Sequence, residues 1–275
     1  MPATITFDTL TDAHLDGALR LSQAVSWPHR REDWHLFLRL SRGVVALAGS
    51  KVVGTAQATP FGDVAMVNMI IVDAQMRSRG LGRQLMTRAM AGVDVPEWRL
   101  TATVEGLPLY EKLGFVATGS VLQHQGVPVR QAVPDGVDWA GDTDLAAIQV
   151  LDQQATGADR SSLIARLMHE ARLVVIRKGP DLAGYACLRR FGRGDLVGPV
   201  VAEDSAMAQR LISFLMARST AGFLRVDTTE EAGLAPWLMG QGLAAAGGGV
   251  SMRRGAATVP ATSVQCFALA AQALG

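Results

Sequence analysis

The chain has 275 residues, of which 49% are hydrophobic, and this is enough for two domains that each bury a core. Its 26 Lys and Arg residues against 25 Asp and Glu residues give a formal net charge of +1. Nucleic acids and anionic membranes bind concentrated basic surfaces, so this balance argues against both as partners.

Cysteine spacing and hydropathy argue against further classes of protein. Cys187 and Cys266 lie far apart, without CxxC spacing or a neighbouring histidine cluster. We therefore expect buried free thiols and no bound metal or disulfide framework. The N-terminal residues have no basic segment before an apolar core, and no apolar run approaches the ~20 residues of a membrane span. The sequence predicts a soluble, cytoplasmic protein.

The first elements alternate strand and helix signals. "TITFDTL" predicts a strand, and "TDAHLDGALRLSQAV" predicts a helix with Thr11 as its N-cap. "EDWHLFLRLS" repeats apolar residues at helical spacing. "VVALAG" and "VVGTAQATPF" flank a Gly-Ser-Lys turn, which is typical of a β-hairpin.

The next elements surround a glycine-containing loop. "AMVNMIIVD" predicts a longer strand, and the helix after the loop has an apolar stripe formed by Leu81, Leu85, Met86, Ala89 and Met90. "RLTATV" predicts a strand, "LPLYEKLG" a short helix and "FVATGSVLQHQG" the last strands. Together these elements predict an α/β fold whose sheet is mixed and mostly antiparallel, with helices on both faces.

The loop at residues 77–83 suits a phosphate-bearing ligand. Gly80 and Gly82 let the backbone approach an anion, and the following helix points its N–H groups at the same place. Arg83 after Gly82 excludes the nucleoside-triphosphate loop, and Leu85 stands where the dinucleotide fingerprint needs its third glycine. The pattern [QR]-x-x-G-x-[GA] is satisfied in full. A tight strand-to-helix turn without a ligand is the alternative.

The chain repeats itself at a nearly constant spacing. Val44 and Val174, Gly54 and Gly184, and Phe61 and Phe191 each lie 130 residues apart, and Pro108 and Pro236 lie 128 apart. This indicates two tandem copies of one domain, at residues 1–126 and 127–275. They meet near "HQGVPVRQAVPDGVDW", where Pro, Gly and Asp cluster.

The first copy closely resembles the GNAT superfamily of N-acetyltransferases. The resemblance covers the "MVNMIIVD" strand, the loop pattern and "LPLYEKLGF", which is similar to the family's tyrosine-bearing helix. The whole chain resembles a bacterial group of two-domain GNAT proteins with a degenerate second copy, through "SWPHRREDW", "TGADRSSLIARL" and "LVGPVVAED". The resemblance implies tandem GNAT folds and acetyl-CoA as cosubstrate.

The resemblance also implies where acetyl-CoA is held. Backbone N–H groups of the loop are expected to bind the pyrophosphate, and the end of the preceding strand is expected to pair with the pantetheine amides. A backbone N–H of that strand can also face the developing oxyanion. The predicted cofactor-binding residues are Ile70, Ile71, Val72, Arg77, Ser78, Arg79, Gly80, Leu81, Gly82, Arg83, Thr103, Gly106, Leu109 and Tyr110.

Tyr110 is the predicted catalytic residue, since a phenol with a pKa near ~10 can donate a proton to a departing thiolate. A core aromatic beneath the Gly-Phe turn is the alternative. No general base is assigned: the strand that carries an acid in many family members has only Asn68, while Asp63, Glu105 and a water chain stay open.

Acceptor binding is predicted in "SWPHRREDW", where Trp27, His29, Asp33 and Trp34 could line an amine pocket or simply pack the helices. In the second copy, Arg210, Ile212 and Leu238 stand at the positions of Gly80, Gly82 and Tyr110. That copy is therefore expected to lack acetyl-CoA binding and catalysis, and to wall the acceptor site. Asp159 or Arg160 could meet a charged acceptor, but an ion pair within the domain is the favoured use.

The sequence predicts an acetyl-CoA-dependent N-acetyltransferase that transfers the acetyl group directly to a small amine, such as an amino acid or a polyamine. A non-catalytic acyl-CoA sensor and a protein or peptide N-acetyltransferase are the alternatives. The expected partner is a small-molecule amine, and the expected assembly is a monomer or a homodimer.

Overall fold

A computed structural model describes residues 4–130, 132–257 and 262–275. Within these ranges, the strands form one mixed sheet of 13 strands with α-helices packed on it, which confirms the predicted fold class. No helix in the described ranges is long and apolar enough to cross a membrane. The cytoplasmic location and the oligomeric state stay predictions.

The first copy begins with the predicted strand, two helices and a hairpin, and continues through the glycine loop. Thr11 precedes a short 3-10 turn at Asp12–His14, which leads into the first helix. The elements are β1 (Ile5–Thr9), α1 (Leu15–Ala24), α2 (Arg31–Leu40), β2 (Arg42–Ala48), β3 (Lys51–Phe61), β4 (Val64–Val72), α3 (Leu81–Ala91), β5 (Glu97–Ala102), α4 (Leu107–Lys112) and β6 (Val116–Gly126).

The second copy repeats this order and ends with one further strand. Its elements are β7 (Asp138–Trp139), α5 (Leu145–Thr156), α6 (Ser161–Glu170), β8 (Arg172–Lys178), β9 (Asp181–Phe191), β10 (Gly194–Ala202), α7 (Ser205–Arg218), β11 (Leu224–Thr229), α8 (Ala235–Gly240), β12 (Ala244–Gly255) and β13 (Gln265–Ala268). β2 begins at Arg42 and β8 at Arg172, and the same spacing of 130 separates β3 from β9 and β4 from β10. The predicted tandem repeat is confirmed.

The two copies exchange their strands after α4 and α8. β6 of the first copy pairs with β11 of the second, and β12 of the second copy pairs with β5 of the first. β6 and β12 also pair with each other, so the sheet is continuous across both copies. "FVATGSVLQHQG" was predicted to hold the last strands of the first copy; it forms a single strand, and its neighbours both belong to the second copy.

The α1 face of the sheet has one core shared by both copies. Buried residues of α1 and α2, among them Leu15, Trp34 and Phe37, belong to the same cluster as Ile148 and Leu163 of α5 and α6. α3 packs on the other face, in a separate cluster with β3, β4 and β5. Hydrophobic burial therefore joins the copies, in addition to the shared hydrogen-bond ladder.

β4 and β5 diverge along their length. They pair in parallel only at Val64–Met66, and β4 has a bulge further on, where Met69 has a φ of 49°. Beyond Met66, one edge of β4 pairs with β3 while its other edge has no strand beside it in the described ranges. This divergence opens a cleft between the strands that points at the start of α3.

Candidate active site

The glycine loop, residues 77–83, ends in a helix start that is open to an anion. Gly80 has a φ of 70° and is the N-cap of α3, a left-handed conformation that glycine adopts without strain. Because α3 begins at Leu81, the N–H groups of its first turn have no acceptor within the helix. Arg77, Arg79 and Arg83 are exposed around the loop and add positive charge.

Gly82 has no side chain that projects into the cleft. A Cβ atom on Gly82 would lie 3.3 Å from the Leu109 Cδ2 atom and 3.8 Å from the Val72 Cγ2 atom. A side chain there would fill the space between α3, β4 and α4. The backbone at Gly82 can therefore approach a ligand directly, as a diphosphate seat requires.

The glycine loop opens into a cleft of about 630 Å³, which we call the main cleft. Of the predicted cofactor-binding residues, the structure brings twelve together here and leaves Arg79 and Arg83 outside. Those lining the main cleft are Ile70, Ile71, Val72, Arg77, Ser78, Gly80, Leu81, Gly82, Thr103, Gly106, Leu109 and Tyr110. The free edge of β4 at Ile70–Val72 offers backbone N–H and C=O groups to an extended ligand.

Tyr110 lies on α4 and lines the main cleft while only 8% of its side chain is exposed. Its ring packs edge-on against Phe115, with the ring centroids 6.4 Å apart. Gly106 allows this position, because a Cβ there would lie 2.6 Å from the Tyr110 ring. Burial raises the pKa of Tyr110 to about 12, so the phenol keeps its proton at neutral pH.

Of the two carboxylates left open as general base, one lies outside the main cleft and one lines it. Asp63 is exposed in the turn between β3 and β4, outside the main cleft. Glu105 is exposed and lines the main cleft, and hydrogen bonds from its own N–H and from Thr103 lower its pKa. Asn68 is buried on β4. The structure thus brings one carboxylate, Glu105, to the main cleft among the described residues, and we assign no base.

A second cavity of about 350 Å³, the side cavity, adjoins the main cleft. The two share Ser26, Trp27 and Thr103, while no residue of the glycine loop lines the side cavity. Its walls come from both copies: Asn68, Gln123 and Gln125 from the first, Arg193 and Arg225 from the second, and residues 271–273 near the C-terminus. The side cavity therefore meets the main cleft at the end away from the glycine loop.

Two of the four predicted acceptor-binding residues line the side cavity. Trp27 and His29 do so, and the His29 ring packs against Trp27, Phe37 and Phe191, with centroid distances of 5.5 to 5.8 Å. Burial lowers the pKa of His29 to about 4, so its imidazole is neutral at pH 7.

The other two predicted acceptor-binding residues lie elsewhere. Trp34 is fully buried in the core, where its Nε1 donates to the Ser22 Oγ at 3.1 Å. Asp33 is buried, pairs with Arg30 at 2.8 Å and accepts a hydrogen bond from the Gly192 N–H at 2.9 Å. Gly192 belongs to the second copy, so Asp33 ties the copies together.

The repeat explains why "SWPHRREDW" and "TGADR" both contain residues that the sequence suggested for acceptor binding. They are equivalent segments, and each packs against a hairpin turn of the other copy: Asp33 accepts from Gly192, and the Asp159 N–H donates to the Phe61 carbonyl at 3.1 Å. Arg160 forms a fully buried ion pair with Asp152 at 2.6 Å. This confirms the favoured use of Arg160, within its own copy.

The residues missed by sequence reasoning are Arg193, Arg225 and residues 271–273. Arg193 lies in "LRRFGRG", a basic cluster that offered the only local signal. Arg225 is in a strand, and the C-terminal segment has no charged residue. Their place in the side cavity depends on how the copies pack, which the local pattern does not determine.

In the second copy, the positions equivalent to the glycine loop, residues 207–213, lie within helix α7. α7 starts at Ser205, and its N-cap Asp204 accepts from the Met207 N–H at 2.8 Å, so a carboxylate occupies the helix start. Ile212 and Leu238 are fully buried. β13 pairs with β10 at Val200–Ala202, the segment equivalent to Ile70–Val72. The equivalent cleft is therefore filled by the chain itself.

Two family profiles, both described as an acetyltransferase (GNAT) domain, match residues 39–117 and 148–268. Bacillus subtilis has a relative, the uncharacterized N-acetyltransferase YitH, that is 29% identical over 231 residues, which is 81% of each chain. A holothin acyltransferase from a Pseudoalteromonas species is 26% identical over 163 residues, covering 58% of this chain and 55% of the relative.

Solved structures share the fold over nearly the whole chain. A putative acetyltransferase from Pyrococcus horikoshii has a TM-score of 0.84 at 19% identity, covering 98% of this chain and 96% of its own. A tandem GNAT protein from the clavulanic acid biosynthesis pathway has a TM-score of 0.61 at 18% identity, covering 94% of this chain and 100% of its own. At these identities, the likeness concerns the fold.

Proposed function

Because this chain belongs to the GNAT superfamily of acetyltransferases and carries the domain twice in tandem, we propose that it transfers an acetyl group from acetyl-CoA directly to the amine of a small molecule. The proposal rests on the order of three sites along one connected path, which runs through the main cleft into the side cavity. The glycine loop lies at one end, Tyr110 and the free edge of β4 line the middle, and the side cavity adjoins the other end.

The residues of the main cleft fit acetyl-CoA, which supplies a thioester as acetyl donor. N–H groups at the start of α3 bind the pyrophosphate, with Gly82 leaving room for it. The backbone of Ile70–Val72 pairs with the pantetheine amides, and a backbone N–H there stabilises negative charge on the thioester oxygen. The acceptor amine approaches from the side cavity.

The amine nitrogen bonds to the acetyl carbon, the carbon–sulfur bond breaks, and Tyr110 donates its proton to the departing sulfur. The proton lost by the amine passes to solvent, from which the phenol is reprotonated. The phenol is suited to this step because it carries a proton at neutral pH and lines the main cleft, next to Leu109 of the same helix, which lies beside Gly82. General acid catalysis of this kind contributes roughly 100- to 10,000-fold to a rate.

The second copy serves the reaction without binding acetyl-CoA. Its own cleft is filled by β13, while its hairpin turn and β11 contribute Arg193 and Arg225 to the side cavity. A concave cavity of about 350 Å³ suits a small molecule better than a protein surface, which favours this acceptor class over a protein or peptide. The name of the holothin acyltransferase also specifies a defined acceptor compound.

An acyl-CoA sensor is the rival function, since it would keep the glycine loop and have no need of Tyr110. A screen for free CoA, using acetyl-CoA with amino acids, polyamines and peptides, tests transfer directly. We expect CoA release with a small amine, and mass spectrometry should detect the acetylated product.

Tyr110→Phe should lower kcat/KM by about 100-fold or more while the Kd for acetyl-CoA stays unchanged, because only the proton donor is removed. Tight acetyl-CoA binding without turnover of any amine would support the sensor instead. Equal activity of Tyr110→Phe and the unmutated protein would remove Tyr110 from the mechanism.

A further inference from the structure

The side cavity has an unusual distribution of charge for a site that takes an amine. Among the described residues that line it, the charged side chains are two arginines, Arg193 and Arg225, and no carboxylate is present. His29, the remaining titratable residue of the wall, is neutral. An acceptor that is a simple polycation would meet like charge here, and like charges brought together are costly.

The two arginines differ in their counter-ions. Arg225 pairs with the fully buried Asp227, with 2.8 Å between its Nη2 and the Asp227 Oδ2. Arg193 forms no ion pair within the described ranges, and its guanidinium lies 5.6 Å from the centre of the Phe223 ring. The wall therefore has about one uncompensated positive charge, which matches a singly charged carboxylate better than a doubly charged phosphate.

Asn68 provides a partner for the amine in the same cavity. Its side-chain nitrogen donates to the Thr59 Oγ1 at 2.8 Å and to the Ala273 carbonyl at 2.9 Å. A carbonyl can only accept, so this contact fixes which end of the amide is nitrogen. The Asn68 Oδ1 is left buried without a hydrogen-bond partner in the described part of the chain, and it can accept from an amine N–H.

Asn68 also lies close to the main cleft, where the amine must meet the acetyl group. It is two residues before Ile70 on β4, whose free edge lines the main cleft. Arg193 and Arg225 belong to the other copy; they line the side cavity and do not line the main cleft. An amine held at Asn68 would thus be close to the main cleft, while a second group of the same molecule could reach the arginines.

We propose that the acceptor is an amine that also carries a carboxylate, as an amino acid does, with Asn68 accepting from the amine and Arg193 and Arg225 binding the carboxylate. This inference rests on the proposed acetyl transfer and narrows its substrate class. It also gives the second copy a defined role, which is to select the acceptor by its charge.

The test compares matched acceptors in the free-CoA assay. Each amino acid is measured beside its carboxamide and its decarboxylated amine, with polyamines as a further set. We expect the carboxamide and the decarboxylated amine to have a kcat/KM about 10- to 100-fold lower, the range for losing a hydrogen bond to a charged group. Equal or better turnover of the decarboxylated amines would overturn the inference and leave acetyl transfer standing.

Substitutions at Arg193 identify the residue responsible. Arg193→Gln should raise the KM for the amino acid about 10-fold and leave the KM for acetyl-CoA unchanged, since Arg193 is outside the main cleft. Arg193→Glu should shift the preference toward the decarboxylated amine. Arg190→Gln is the matched control, because Arg190 lies in the same hairpin, is exposed and does not line the side cavity.

Failure of the role of Arg193 and failure of acetyl transfer give different results. An Arg193→Gln protein with the KM values of the unmutated protein, or an Arg190→Gln protein with the same defect, would overturn the role of Arg193 in binding the carboxylate. Absence of CoA release with every amine of the panel would overturn acetyl transfer itself, and this inference with it.

Discussion

At the scale of single residues, burial holds two titratable side chains beside the path in their neutral forms. Burial raises the pKa of Tyr110 to about 12 and lowers the pKa of His29 to about 4, so both side chains are neutral at pH 7. Both shifts have the same main cause, the loss of hydration of the charged form. The chemistry differs: Tyr110 remains a proton donor, whereas His29 adds no positive charge to a cavity that already contains two arginines.

His29 makes stability depend on pH in a defined window. Its folded pKa of about 4 is below the ordinary value of 6.5, so its contribution is fully present above pH 6.5 and is lost as the pH falls through 4. Since His29 is partly exposed to the side cavity, we expect a loss on the order of 2 kcal/mol. Urea unfolding at pH 7 and pH 4 should show this loss in the unmutated protein and a smaller one in His29→Phe. Equal losses in both proteins would contradict the assignment.

At the scale of elements, local sequence patterns were sufficient for the glycine loop, β4 and α4. The signals for β4 and the glycine loop are short-range, since an apolar run, a glycine pair and a helix start follow one another within about twenty residues, and the signal for α4 is the separate segment "LPLYEKLGF". Twelve of the predicted contacts consequently line the main cleft. Arg79 and Arg83 do not, because the sequence shows that residues are in a loop but not which way each side chain points.

Gly82→Val tests the glycine loop as an element. A valine side chain would occupy the space beside Leu109 and Val72 and would keep the pyrophosphate from the start of α3. We expect the Kd for acetyl-CoA to rise at least 10-fold, measured by calorimetry, while the fold is retained. Gly240→Ala is the control, because Gly240 lies on α8 outside the main cleft, has no positive φ and has open space around it. Unchanged acetyl-CoA affinity in Gly82→Val would contradict the proposed binding mode.

At the scale of the whole molecule, the copies are joined by exchanged strands, a common core and reciprocal hairpin contacts. None of these was visible in the sequence, because a strand's neighbours depend on distant residues and the exchange leaves the pattern of each strand unchanged. Asp33 shows the difficulty. Beside two tryptophans and a histidine it resembled an acceptor-binding acid, yet it binds the other copy's backbone at Gly192.

Asp33→Ala should therefore weaken the association of the copies rather than acceptor binding. Removing it leaves Arg30 without its carboxylate partner and the Gly192 N–H without an acceptor, so we expect a loss of about 3 kcal/mol in the free energy of unfolding. Asp63→Ala is the control, since Asp63 is an exposed acid in a hairpin turn. Undiminished stability of Asp33→Ala in urea unfolding would count against this contact between the copies.

The chain carries the same domain twice, and we propose that only the first copy binds acetyl-CoA. The most direct test is the stoichiometry of acetyl-CoA binding to the full chain, measured by isothermal titration calorimetry. We expect one acetyl-CoA per chain. Two equivalent sites would contradict the conclusion that Asp204, Ile212 and β13 fill the second cleft, and no binding would contradict the assignment of the first.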